Sequence, residues 1–184
     1  MSVLAIDTAS RGRVVVVVAD RRGGMLSGGC RNGAAVELLA IAMREAAASD
    51  VDAVVCVVGP GSFTGLRAGL AAAVGVAQAT GVPLHGVCSL DVVVAAAALE
   101  TPGMASLDAG RGGRYLREYA RSGHEWAPIS PLRRLAGDQA PPIPCARLED
   151  VAGHAHAAGL AAIVPGALTS PALDLAGIVA NYVD

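Results

Sequence analysis

Four groups of residues in this chain have the type and spacing for chemistry. Gly59-Pro60-Gly61-Ser62 follows the apolar run 54–58 and precedes a helical pattern, the corner where α/β proteins place phosphates or nucleophiles. As a phosphate cradle it lacks the Lys-Ser/Thr of a P-loop, and Gly59, Gly61 and Gly65 miss the dinucleotide spacing by one residue. Ser62 as a nucleophile lacks the Gly-x-Ser-x-Gly pattern, and none of His85, His124, His154 or His156 carries a supporting motif; a helix cap explains Ser62. Asp7 and Asp108 each end a strand-like run before a turn, and two such carboxylates facing one cleft would suit magnesium and a nucleotide. Yet Thr8-Ala9-Ser10 offers no glycine for a phosphate to approach. His154 and His156 stand two apart, off a common helix face, and read as solvated rather than as metal ligands.

Composition narrows the classes further. Of 184 residues, 53% are hydrophobic and 16% charged, so the chain can bury a large core. Only 3% are aromatic, so that core must be Val, Ala and Leu. All 14 cationic side chains are Arg, which excludes Schiff-base and P-loop lysines. The net charge of −2 argues against strong nonspecific nucleic-acid binding. Four dispersed cysteines lack metal-site spacing and fit a reducing cytoplasm. No apolar run is long enough to cross a bilayer, and no secretory signal is visible.

The elements that would position these residues follow from pattern. Val3–Ile6, the five valines 14–18 and Met25–Cys30 read as three antiparallel strands joined by glycine turns. A helix is expected from Asn32 to about Ser49, then the central strand and the corner. A second helix runs from Ser62 or Phe63 to Gly81, with Ser62 as its cap and Arg67 placed to bond the corner's carbonyls or a partner's carboxylate. One of its faces, Gly65, Gly69, Ala72, Ala73 and Val76, is almost free of bulk, fit either for the chain's own sheet or for another subunit. Phe63, the only Phe, is an anchor into the core or a partner contact. Leu84–Cys88 is a strand, and Ser89 caps a helix to Leu99. The order βββαβαβα predicts a mixed sheet with helices on its faces. Thr101-Pro102-Gly103 divides a first lobe, 1–100, from a second, 101–184, whose Asp108 turn echoes the Asp7 turn. There a helix near 148–158, a strand 160–164 and a last helix near 171–182 are expected.

Leu4-Ala5-Ile6-Asp7-Thr8-Ala9, the block Gly59 to Arg67 and Gly86-Val87-Cys88-Ser89-Leu90 together resemble the bacterial TsaB (YeaZ) family, strongly over the first 100 residues. Asp108-Ala109-Gly110-Arg111 looks like the family's turn before the second lobe's strands, with an extra glycine. The resemblance implies a two-lobed ASKHA (actin/Hsp70/sugar-kinase-like, ribonuclease H-like) fold with mixed sheets and an abbreviated second lobe. It implies a non-catalytic, cofactor-free, cytoplasmic subunit in the making of threonylcarbamoyladenosine on tRNA. Its implied partners are the catalytic paralogue TsaD and the ATPase TsaE, with a homodimer when the partner is absent and tRNA contact at most indirect. Pairing through the first two helices assigns the interface to Leu38, Leu39, Ala42, Phe63, Gly65, Leu66, Gly69, Ala72, Ala73 and Val76, with Gly59, Pro60, Gly61, Ser62 and Arg67 as a structural turn. Asn32-Gly33-Ala34 stands where the family usually has a His-Ser pair. The alternative is a nucleotide-binding enzyme of the same fold, kinase-like or hydrolytic, with its site between the lobes.

Overall fold

A computed structural model of the chain describes residues 1–33, 40, 44, 50–97, 99, 102–123, 125–136 and 145–174. Among these residues the strands form two five-stranded sheets. The first contains β1 (Ser2–Asp7), β2 (Arg13–Asp20), β3 (Met25–Asn32), β4 (Val51–Gly59) and β5 (Leu84–Cys88) in the order β3-β2-β1-β4-β5. The first three strands are antiparallel; β1, β4 and β5 are parallel. This is the mixed sheet of the ASKHA, ribonuclease H-like fold, as expected.

The valine run explains why the sheet is covered on both sides. Val14, Val16 and Val18 point to one face, Val15 and Val17 to the other, and all are buried. Helix α1 (Phe63–Thr80) covers the first face with Leu70, Ala73, Val76 and Ala77. Two later helices, α3 (Gly153–Ala162) and α4 (Val164–Thr169), cover the second with Ala157, Leu160, Ala161, Val164 and Ala167.

The second sheet holds β6 (Gly103–Gly110), β7 (Gly113–Ser122), β8 (Glu125–Pro128), β9 (Arg133–Leu135) and β10 (Cys145–Arg147). Helix α2 (Ser89–Ala96) lies between the two sheets. Its Val92 enters the core under the first sheet, while Leu90, Val93 and Val94 pack with Ala105, Leu107, Tyr119 and Leu148 under the second.

Three expectations need correction. The run 160–164 is helical, not a strand, because Leu160, Ala161 and Val164 lie on one face against β1 and β2, a 3.6-residue spacing. The helix expected near 148–158 is a single 3₁₀ turn, Leu148–Asp150, followed by α3. The expected lobe boundary at 100/101 separates the sheets, but residues 153–169 return to the first one. The expected helix over 32–49 and the last one near 171–182 fall mostly outside the described residues; Ala40 and Arg44 are helical, and 171–174 are not. No helix among the described residues is long and apolar enough to cross a membrane.

Candidate functional site: the corner, the helix it launches and the cleft between the lobes

The corner is fastened at several points. The Gly59–Pro60 peptide is cis, and Gly59 has φ 128°. Gly61 sits against Ala9, so close that an added Cβ would meet the Ala9 carbonyl oxygen at 2.6 Å. The Ser62 backbone N–H donates to the same carbonyl at 2.7 Å. Ser62 Oγ accepts from the Gly65 N–H at 3.3 Å, the N-cap expected of it. Gly81, at φ 71°, closes the far end of α1. Ser89 does not cap α2. It lies in the first turn, and its hydroxyl donates to the Pro60 carbonyl at 2.6 Å, tying α2 to the corner. Arg67 bonds none of the corner's carbonyls. Its guanidinium stacks over the Phe63 ring, 5.2 Å from the centroid.

The helix is turned differently from the expectation. Gly65, Leu66, Gly69, Ala73 and Val76 are buried within this chain. Thr8 explains this: its hydroxyl donates to the Gly65 carbonyl at 2.7 Å, and side chains added at Gly65 or Gly69 would collide with Thr8. The small-residue face therefore seats the chain's own β1 end, as close helix–sheet packing demands. Of the expected interface residues on α1, Phe63 is 57% exposed and Ala72 half-buried. Leu38, Leu39 and Ala42 lie outside the described residues. The outward ridge is instead Phe63, Arg67, Ala71, Gly75 and Ala79, four apart and all exposed. An added side chain at Gly75 would meet nothing within 4 Å.

Asp7 and Asp108 do not form a paired carboxylate site. Asp7 is buried. Its Oδ1 accepts the Ala9 N–H at 2.8 Å, and its Oδ2 pairs with His156 Nε2 at 2.8 Å. His156 is 1% exposed, so the expectation of a solvated histidine is corrected; α3 carries it into the core, and its Nδ1 is buried without a hydrogen-bond partner. Only His154 of that pair is exposed. Asp108 is exposed, and its Oδ1 accepts the Gly110 N–H at 2.8 Å.

Sequence reasoning missed a cavity of about 580 Å³ where β5, α2, β7, β8 and α4 meet. Asp91, Tyr119 and the Arg121–Trp126 stack line it. The Tyr119 hydroxyl donates to Asp91 Oδ1 at 2.6 Å. Burial holds the Asp91 carboxyl above its ordinary value of 3.8, against the opposing Tyr119 hydrogen bond and the Arg117 charge. Burial also pushes the Cys88 thiol up to about 11. The folded state thus holds the Asp91 proton more tightly than the unfolded chain does. That contribution to stability is present below pH 3.8 and is lost as pH rises through the higher folded value. Asp91→Asn should therefore gain on the native protein in urea midpoint at pH 7, with the gain shrinking toward pH 3.5. No single stretch of sequence signals this pair, since 28 residues separate its members.

Comparison with known proteins agrees with this architecture. The family model described as TsaD, tRNA N6-adenosine threonylcarbamoyltransferase, matches residues 34–163. An uncharacterised Mycobacterium leprae protein is 54% identical over 56 residues, 30% of this chain and 16% of the relative. A Mycobacterium tuberculosis protein is 52% identical over 56 residues, again 30% of this chain and 26% of the relative. The matched segment thus covers only 16% and 26% of these curated relatives. Among solved structures, a Pseudomonas aeruginosa protein described as uncharacterised, with similarity to peptidase YeaZ, superimposes with a TM-score of 0.80 at 19% identity. That match covers 100% of this chain and 99% of the other. YeaZ from Pseudomonas aeruginosa superimposes at 0.65 with 24% identity, covering 77% and 70%. With a fold like that of YeaZ and a family match over well more than half of its length, the chain belongs to the family whose model is described as TsaD, tRNA N6-adenosine threonylcarbamoyltransferase.

Proposed function

We propose that this chain is a non-catalytic scaffold subunit of a cytoplasmic, tRNA threonylcarbamoyladenosine-forming complex. It binds and activates a catalytic TsaD paralogue through its first two helices, the ATPase TsaE docks on that pair, and a homodimer forms when the partner is absent. The observation that carries this reading is the outward ridge of α1. An exposed Phe63, stacked by Arg67, stands at the head of the small residues Ala71, Gly75 and Ala79. An exposed aromatic beside a low, regular surface is what a close helix–helix contact needs. The nucleotide-enzyme alternative draws no support from Asp7, because both of its oxygens are engaged inside the chain.

The ridge gives a clean test. Gly75→Arg adds bulk and charge where there is open space and replaces a poor helix former, so the variant should fold and melt no lower than the native chain. It should lose co-purification with the catalytic paralogue. Phe63→Ala should weaken the same association by about tenfold or more. Undiminished association in both variants would remove α1 from the interface. Calorimetry with Mg-ATP is the companion measurement: micromolar binding abolished by Asp7→Asn would favour the enzyme instead.

A further inference from the structure

We propose that Arg11, Arg111 and Arg134 form a phosphate-binding cluster at the rim between the lobes, and that its ligand is the phosphodiester backbone of RNA. The three come from different elements. Arg11 is in the β1–β2 turn, Arg111 in the β6–β7 turn and Arg134 on β9, and all are exposed. They converge on one hairpin end. A Cβ placed on Gly110 would meet Arg11 Nη2 at 2.8 Å, and one placed on Gly113 would meet Arg134 Nη2 at 3.3 Å. Gly110 and Gly113 are paired across the β6–β7 ladder, so both positions point to the same side. Directly opposed Cβ positions lie about 5 Å apart, which keeps the two guanidinium groups within about 12 Å of each other.

No described carboxylate pairs with these three guanidinium groups. Among the described residues, none of the three guanidinium groups makes an ion pair, whereas Arg21, Arg114 and Arg133 are each paired with an acid. The neighbouring Asp108 turns Oδ1 onto its own backbone at Gly110, and Glu149 is held by Arg114. Guanidinium groups carried on one rim raise the positive potential there, and that potential attracts an anion.

The turn itself carries a second mark. Arg111 and Gly112 are the two central residues of the hairpin loop, with φ 53° and 75°. A two-residue loop of this kind favours Asn or Gly at its first position. Arg111 is the only non-glycine residue with positive φ among those described. An arginine held in a conformation that suits it poorly points to a use for its charge. Three exposed planar donor forks on different elements suit successive phosphates along a strand better than one enclosed phosphate. The choice of RNA as the polyanion rests on the proposed function; the cluster does not. It replaces the expectation that tRNA contact is at most indirect, which was drawn from a net charge blind to local clustering.

The experiment is anisotropy of a fluorescein-labelled, unmodified tRNA transcript titrated with the full chain at 50–200 mM salt. Binding should weaken with salt along a log–log slope of about −2 to −3, as expected for three phosphate contacts. The triple variant Arg11→Ser, Arg111→Asn, Arg134→Ser should bind at least about tenfold more weakly and lose most of that slope. Arg111→Asn alone should raise the melting temperature, because Asn suits the turn; a lower one would assign Arg111 to the fold and overturn its role. The proposal also fails if the native chain does not bind tRNA at 50 mM salt, or if the triple variant binds equally well. Displacement of the RNA by micromolar inorganic phosphate or ADP would make this a mononucleotide site and overturn the RNA assignment. Co-purification with the catalytic paralogue, read on the same variants, separates the two ideas. Its survival with tRNA binding absent sinks only this inference, and its absence in the native chain sinks the scaffold reading.

Discussion

Gly65→Val should cost about 3–5 kcal/mol, a large fraction of the about 5–15 kcal/mol that small domains hold in reserve. The reason is local. A side chain at position 65 is aimed at the Thr8 backbone carbonyl, and backbone cannot move aside as a flexible side chain would. Accommodating it means lifting the start of α1 from the end of β1. That movement breaks the buried hydrogen bond from Thr8 Oγ1 to the Gly65 carbonyl, worth about 1 kcal/mol, and leaves its partners unsatisfied. It also strains the Ser62–Ala9 contact that fastens the corner. Gly75→Ala on the same helix is the control. With open space at that position it should gain about 0.5–1 kcal/mol. Urea unfolding followed by circular dichroism reads both. Equal tolerance at 65 and 75 would mean that the helix is rotated from the orientation described.

His156→Leu should cost about 1–3 kcal/mol, the penalty for leaving the buried Asp7 carboxyl oxygen without its hydrogen-bond partner. Asp7 and His156 are each 1% exposed, so no water can replace the lost partner without opening the core. The Ala9 N–H remains on Asp7 Oδ1, but Oδ2 loses the partner that His156 Nε2 supplies. Asp7→Ala with His156→Leu removes the carboxyl group as well as its partner. The double variant should therefore lose less than the two single variants together, with a coupling energy above about 1.5 kcal/mol. Additive losses would show that the two side chains act only as volume. The pair matters beyond stability. It joins the first strand to a helix 149 positions later, and it occupies the carboxylate that a magnesium-nucleotide site would need.

The parts of this fold that local chemistry sets were readable in the chain. Five valines in a row make a strand buried on both faces wherever they sit. A serine cap, a left-handed glycine and Pro83 bound α1 at Ser62 and Gly81, and the structure puts its ends there. The run 160–164 misled because four or five apolar residues carry no period of their own; packing of α3 and α4 on the first sheet decided for helix. Ser89 misled for a related reason. A serine before an apolar helical run reads as a cap, but a carbonyl 29 residues back, on the cis peptide's proline, offered its hydroxyl a shorter bond.

The corner and its helix show where the division lies. The residues Val54 to Gly81 by themselves determined a strand, a tight turn and a capped helix, because each of those steps depends on neighbours within a few positions. They also determined that the helix has one face without bulk. They did not determine what that face meets. Gly65, Gly69 and Ala73 suit a partner helix and the end of β1 equally, since both require only that no side chain intervene. The Thr8 hydroxyl, 57 residues away, settled it in favour of the chain's own sheet and turned Phe63, Arg67, Ala71 and Gly75 outward. The Asp7–His156 pair and the gathering of Arg11, Arg111 and Arg134 belong to the same class. Contacts between residues so far apart in the chain leave no period or spacing in it, and only the folded backbone brings them together.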